Sequence, residues 1–107
     1  MVELRIEEGC SCRRVFLSGD VDMHSSPGAR AAILDALKTG RGLLVDLSAV
    51  SYMDSSGVAS LVEGYQSARK LGLRFGLVAV SLPVMSVLKL ARLDTVFPLH
   101  ASAGEAD

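Results

Sequence analysis

The residues with the most chemistry in them stand together at Asp54-Ser55-Ser56-Gly57. A carboxylate precedes two hydroxyls, a glycine closes the run, and Val58, Leu61, Val62 and Tyr65 follow at helical spacing. The start of a helix leaves its first N–H groups without partners and carries the positive end of the helix dipole. A serine placed there can cap the helix, with the glycine as helper, or carry a phosphoryl group at a position that favours anions. Phosphorylation would add about −1.5 to −2 charges, and Asp54 beside it would leave that surface strongly negative. Read from the residues alone, both uses remain open.

Other groups are less specific. Asp22, His24 and Ser56 have the types of a hydrolytic triad, but nucleophile and base must lie within hydrogen-bond reach of each other and beside an oxyanion hole. No G-x-S-x-G elbow is present, nor a nucleotide-binding glycine motif or an H-E-x-x-H pair. An enzyme is not expected. Asp20, Asp22, Asp46 and Asp54 could crowd one end of a sheet and hold a divalent cation. Loop carboxylates more often make turns and caps, so no metal or cofactor is expected. Cys10 and Cys12 are the only cysteines, and a lone C-x-C is a weak metal signal.

These groups need elements to hold them. Val2 to Ile6 alternates strictly and reads as a half-buried strand; Arg14 to Ser18 reads as a second, joined to the first by a short glycine-containing link. Asp20 to Ser26 is a polar loop. Ser26 before Pro27 reads as a helix start, and Gly40 as its stop. Leu43-Leu44-Val45 suits a strand covered on both faces, with a loop from Asp46 to the D-S-S-G run. The second helix ends at Gly72. Leu73 to Val80 is the most apolar strand, a third helix runs from Leu82 to about Arg92, and Thr95 to Leu99 is a last strand. The order ββαβαβαβ predicts an α/β domain. It has one mixed sheet, mostly parallel with an antiparallel edge strand, and about three to four helices packed mainly on one face.

Composition bounds the partners. The chain has 107 residues, with 11 Lys+Arg against 12 Asp+Glu and half its residues hydrophobic. It is long enough for one domain with a core, and its net charge of −1 lacks the basic surplus that nucleic acid requires. No apolar run approaches the roughly 20 residues that span a bilayer, and MVELRIEEGC is unlike a signal peptide, so a cytoplasmic protein with no membrane insertion is expected. Charged residues are only 21%. Part of the apolar excess falls on the third helix, where Leu82, Val84, Met85, Val87, Leu88, Leu90 and Leu93 go round most of the circumference. A single packed face needs a stripe of only about 100°.

The run VDLSAVSYMDSSGVASLV resembles the signature of STAS domains of the anti-sigma factor antagonist type. SGDVDMHSSPGARAAILDAL is similar to that family's second strand, loop and first helix, and GLVAVSLPVMSVLKLARLDTVFPL to its fourth strand, third helix and last strand. The resemblance covers residues 14–99 of a single domain and leaves 100–107 as a short polar tail. It implies that Ser56, which precedes the glycine of the pattern, is the phosphorylation site, with Ser55 as the alternative. Asp22, Asp54 and Gly57 would support it. It further implies an anti-sigma factor, itself a serine protein kinase, that is bound by the unphosphorylated domain and released on phosphorylation. A phosphatase would reset the switch. The partner surface is expected to include Ser25, Ser26, Met53, Val58, Val84 and Val87. Other STAS domains are adaptor subunits of lipid-transport ABC systems, bound to the transporter ATPase. The apolar third helix and the short tail favour that alternative, or a homodimer.

Overall fold

The computed structural model describes residues 5–8 and 12–101. Five strands form one sheet in the order in which they occur in the chain: β1 (Arg5–Glu8), β2 (Cys12–Val21), β3 (Gly42–Met53), β4 (Phe75–Val78) and β5 (Leu99–His100). The short link from β1 to β2 allows only an antiparallel pair, with Arg5 opposite Phe16. Each later pair is parallel and is joined through a helix: α1 (Ser26–Leu37), α2 (Ser55–Leu71) and α3 (Leu82–Leu90). The expected mixed sheet with an antiparallel edge is therefore present. The part of the expected first strand at 2–4 lies outside the described residues, as does Cys10.

Three crossovers that all advance in one direction and all turn right-handed put their helices on the same face. The core follows that rule. Val15 and Leu17 of β2, Leu43, Val45 and Leu47 of β3, and Phe75 and Leu77 of β4 point into one apolar cluster. Ala29, Ile33, Val58, Leu61, Val84 and Leu88 of the helices complete it. Among the described residues, the opposite face carries a small cluster of Cys12, Leu44 and Val78.

The third strand departs from the sequence reading. It does not stop near Asp46 but runs on to Met53, and β2 likewise runs on through Asp20 to Val21. The register against β2 shifts twice, between Phe16 and Ser18 and between Gly19 and Asp20, so β3 carries extra residues at both places. Its inward positions step from Leu47 to Val50 to Met53, three apart instead of two. Each bulge turns the phase of the pleat, which erases the alternation that marks a strand. Asp46 serves the first of them, accepting from the Ser48 backbone N–H at 2.9 Å and from its hydroxyl at 2.7 Å.

Element ends also differ from expectation. The cap of α1 is Ser25, not Ser26, and its hydroxyl donates backward to the Asp20 carbonyl at 2.8 Å instead of to the helix. Helix α2 ends at Gly72 as expected: Gly72 has φ 70° and the Leu73 N–H returns to the Ala68 carbonyl at 2.9 Å. Helix α3 ends two residues early in the same way, with Arg92 at φ 58° and the Leu93 N–H on the Leu88 carbonyl at 2.8 Å. The last strand is only Leu99–His100, because Thr95 to Phe97 form the turn after α3.

Candidate functional site

The run into α2 begins where β3 ends. The Asp54 N–H donates to the Val21 carbonyl at 3.2 Å, which fastens the end of β3 to the end of β2. Asp54 is the N-cap. Its Oδ1 accepts from the backbone N–H of Ser56 at 3.0 Å and of Gly57 at 3.3 Å, two of the otherwise unpartnered donors of the first turn. The same oxygen accepts the Ser56 hydroxyl at 2.6 Å. The Ser56 hydroxyl bond, followed by the backbone N–H groups of Gly57, Ser56 and Met23, holds the Asp54 carboxyl below the usual carboxylate range against the opposing effect of burial. The cap is thus the carboxylate, and Ser56 is free of the capping role that the sequence left open for it. Ser55 is exposed, while Ser56 is half-buried.

Gly57 is required by space. A Cβ there would lie 2.7 Å from Met53 Cγ, 2.8 Å from the Val21 carbonyl oxygen and 2.9 Å from Val21 Cγ1. The close approach it allows seats the first turn of α2 on the end of the sheet. One turn on, buried Ser60 donates to the carbonyls of Ser56 at 3.1 Å and Ser26 at 3.3 Å, tying the starts of α1 and α2 together.

Asp22 lies in the neighbouring loop, but its carboxylate is committed to its own turn. It accepts the His24 N–H at 2.9 Å, the Ser25 N–H at 3.2 Å and the Ser25 hydroxyl at 3.4 Å. The His24 backbone bond first, and then the Ser25 backbone, the His24 charge and the Ser25 hydroxyl, lower its pKa, again against burial. It therefore shapes the Asp22–Ser25 loop, and that loop reaches the site through Met23, whose backbone N–H meets the Asp54 carboxylate. The four aspartates do not pool: Asp20 accepts the Ser51 hydroxyl at 3.1 Å and Asp46 serves Ser48. Among the described residues no three His, Cys, Asp or Glu side chains gather to hold a metal. His24 is exposed, and the hydroxyl of Ser56 is aimed at Asp54.

Several residues expected on the partner surface are core. Met53, Val58 and Val84 are buried against the main apolar cluster, Ser26 is buried at the first position of α1, and Val87 is half-buried. Ser25 is half-buried with its hydroxyl engaged in the loop. The exposed apolar side chains at this end of the sheet are others. Met23 is 69% exposed, Tyr52 51%, and Leu82 83%. Leu82 follows Ser81, whose hydroxyl donates to the Val50 carbonyl at 2.7 Å and so anchors the start of α3 beside the upper part of β3. Met23 interrupts an otherwise polar stretch, the one signal in the sequence that marked it, whereas Tyr52 stands beside Met53 and carried no such signal. The Arg30–Glu63 ion pair between α1 and α2 was not legible in the sequence.

A STAS domain model matches residues 1–106. The chain belongs to the STAS domain family. An anti-sigma-B factor antagonist of Listeria monocytogenes is 27% identical to this STAS domain over 92 residues, which are 85% of this chain and 81% of the relative. The crystal structure of an anti-sigma factor antagonist from Mycobacterium paratuberculosis superimposes with a TM-score of 0.89 at 29% identity, covering 99% of this chain and 91% of that one. A Bacillus cell fate determinant, SpoIIAA, solved in its phosphorylated form, shares the fold with a TM-score of 0.75 at 23% identity. That match covers 97% of this chain and 96% of the other. Among the described residues, no helix of this STAS domain is long and apolar enough to cross a membrane.

Proposed function

We propose that this STAS domain is an anti-sigma factor antagonist switched by phosphorylation of Ser56. The observation that carries the reading is the position of Ser56. Its hydroxyl sits half-buried at the second position of α2, held by Asp54 and spared from capping, at the end of the sheet where Met23, Tyr52 and Leu82 are exposed. The names of the relatives point the same way. Unphosphorylated, that end presents apolar side chains and a neutral hydroxyl to an anti-sigma factor that is also a serine kinase. In the kinase reaction Ser56 Oγ forms a bond to the γ-phosphorus of ATP, the bond to the bridging oxygen of ADP breaks, and the hydroxyl proton leaves to base or solvent. The product carries about −1.5 to −2 charges in the middle of the contact surface, where desolvating them opposes binding. Hydrolysis by a phosphatase releases inorganic phosphate and restores the hydroxyl.

The test uses the full chain, its cognate kinase and ATP, with the phosphate mapped by mass spectrometry. Phosphate on Ser56 is expected, and phosphate on Ser55 alone, or elsewhere, overturns the assignment. Ser56→Ala should stay bound to the kinase in the presence of ATP, and Ser56→Asp should weaken binding by roughly tenfold or more. Capture of a transporter ATPase in place of an anti-sigma kinase would establish the adaptor role instead.

A further inference from the structure

We propose that Arg30 is the counter-ion of the phosphorylated state, leaving Glu63 to hold the phosphoryl group on Ser56. The inference rests on the phosphorylation reading above and deepens it.

Ser56, Ser60 and Glu63 of α2 and Ser26 and Arg30 of α1 line one open groove between the two helices. Arg30 is the cation of that lining and Glu63 its carboxylate, and in the unmodified domain the Arg30 Nε is paired with the Glu63 Oε2. Both side chains are about half exposed, at 52% and 47%. An ion pair so exposed is screened by water and is readily exchanged for a better partner. A phosphate is such a partner: it offers three oxygens to the planar fork of the guanidinium, whose outer N–H groups can engage two of them at once.

Like charge drives the phosphate away from Asp54, and the groove holds the cation it would meet. Phosphorylation removes the hydroxyl hydrogen that Ser56 donates to Asp54 at 2.6 Å, so an attraction becomes a contact between like charges. Asp54 cannot withdraw, because the same oxygen holds the N–H groups of Ser56 and Gly57. The phosphoryl group turns away from it, and in the proposed arrangement it lies along the face of α2 that continues through Ser60 to Glu63. Seven residues separate Ser56 from Glu63, two helical turns on one face and about 10 Å along the axis. Helical side chains lean toward the N-terminus, so Glu63 and Arg30 both reach back toward Ser56. Ala59 and Ser60 leave the way open, since both are small and the Ser60 hydroxyl is occupied by the carbonyls of Ser26 and Ser56.

The experiment installs phosphoserine at position 56 of the full chain during translation, so no kinase is needed, and follows its second ionisation by phosphorus NMR. In the otherwise unaltered protein the phosphate pKa should fall about one unit below the value near 6 of a solvated phosphoserine. Arg30→Gln should return it to about 6, and Glu63→Gln should leave it as low or lower, because Arg30 then has no competitor. Thermal unfolding of each variant confirms that the fold is kept. Equal phosphate pKa values with and without Arg30 overturn the proposal, and so does a rise on Glu63→Gln. A kinase that ignores Ser56 would instead remove the phosphorylation reading, an outcome the titration does not depend on.

Discussion

Asp54 holds two things with one oxygen: the first turn of α2 and the hydroxyl of Ser56. Its lowered pKa gives the arrangement a pH dependence of known sign. A carboxylate held below its unfolded value near 3.9 stabilises the fold above that pH, and the contribution is lost as the pH falls through the folded value. Asp54→Ala should therefore lower the Tm at pH 7, and the gap to the parent should close progressively below about pH 4, as followed by thermal circular dichroism. Asp54→Asn, which still caps, should lie between. Gly57 is governed by space instead. With a backbone oxygen 2.8 Å from the added carbon, Gly57→Ala should cost about 1–3 kcal/mol in urea unfolding. That a polar residue would cap α2 and that Gly57 would allow close approach were legible because both are local requirements, but the sequence points to a serine as the cap and the cap falls on Asp54. The core placement of Met53 was not, because being next to a site in sequence says nothing about which way a side chain faces. Val58 shared the helical spacing of Leu61, and that spacing, not its nearness to the site, was the signal that placed it correctly.

At the scale of the element, α3 resolves the apolar excess. Val84 and Leu88 fill the core, whereas Leu90, only two residues on, is 87% exposed. Leu88→Ala should cost about 2–5 kcal/mol, and Leu90→Ala should stay within about 0.5 kcal/mol, both measured by denaturant unfolding. The end of the same helix holds an arginine in the left-handed conformation that Gly72 adopts at the end of α2. Arg92→Gly should therefore gain stability, by about 0.5–1 kcal/mol in the same measurement, since glycine takes that backbone shape without a Cβ penalty. The helices, the order of elements and the mixed sheet were readable from periodicity and from the glycine and proline stops. The upper half of β3 was not. Its bulges put buried residues at 47, 50 and 53, a spacing that imitates neither strand nor helix, and only the pairing with β2 gives it meaning.

On the whole molecule, the net charge of −1 is small beside the change that the proposed phosphate on Ser56 would make, which would take the chain to about −3. That change would fall at one end of the sheet, among exposed Met23, Tyr52 and Leu82. If that end is the contact surface, Met23→Glu should weaken capture by the partner at least several-fold in a pull-down titration. Its Tm should stay unchanged, because a side chain 69% exposed contributes little to the core.

The sheet's strand order, β1-β2-β3-β4-β5, is also an order in time. Every strand pairs with the one made just before it, so the chain can add each βα unit to a finished edge as it leaves the ribosome, without waiting for a distant segment. The hydrogen bonds that build the Ser56 site run from Asp20 to Ser60. The hydrogen-bonded frame around Ser56 is therefore closed by β2, β3, α1 and α2, without a contribution from β5 at the far edge of the sheet.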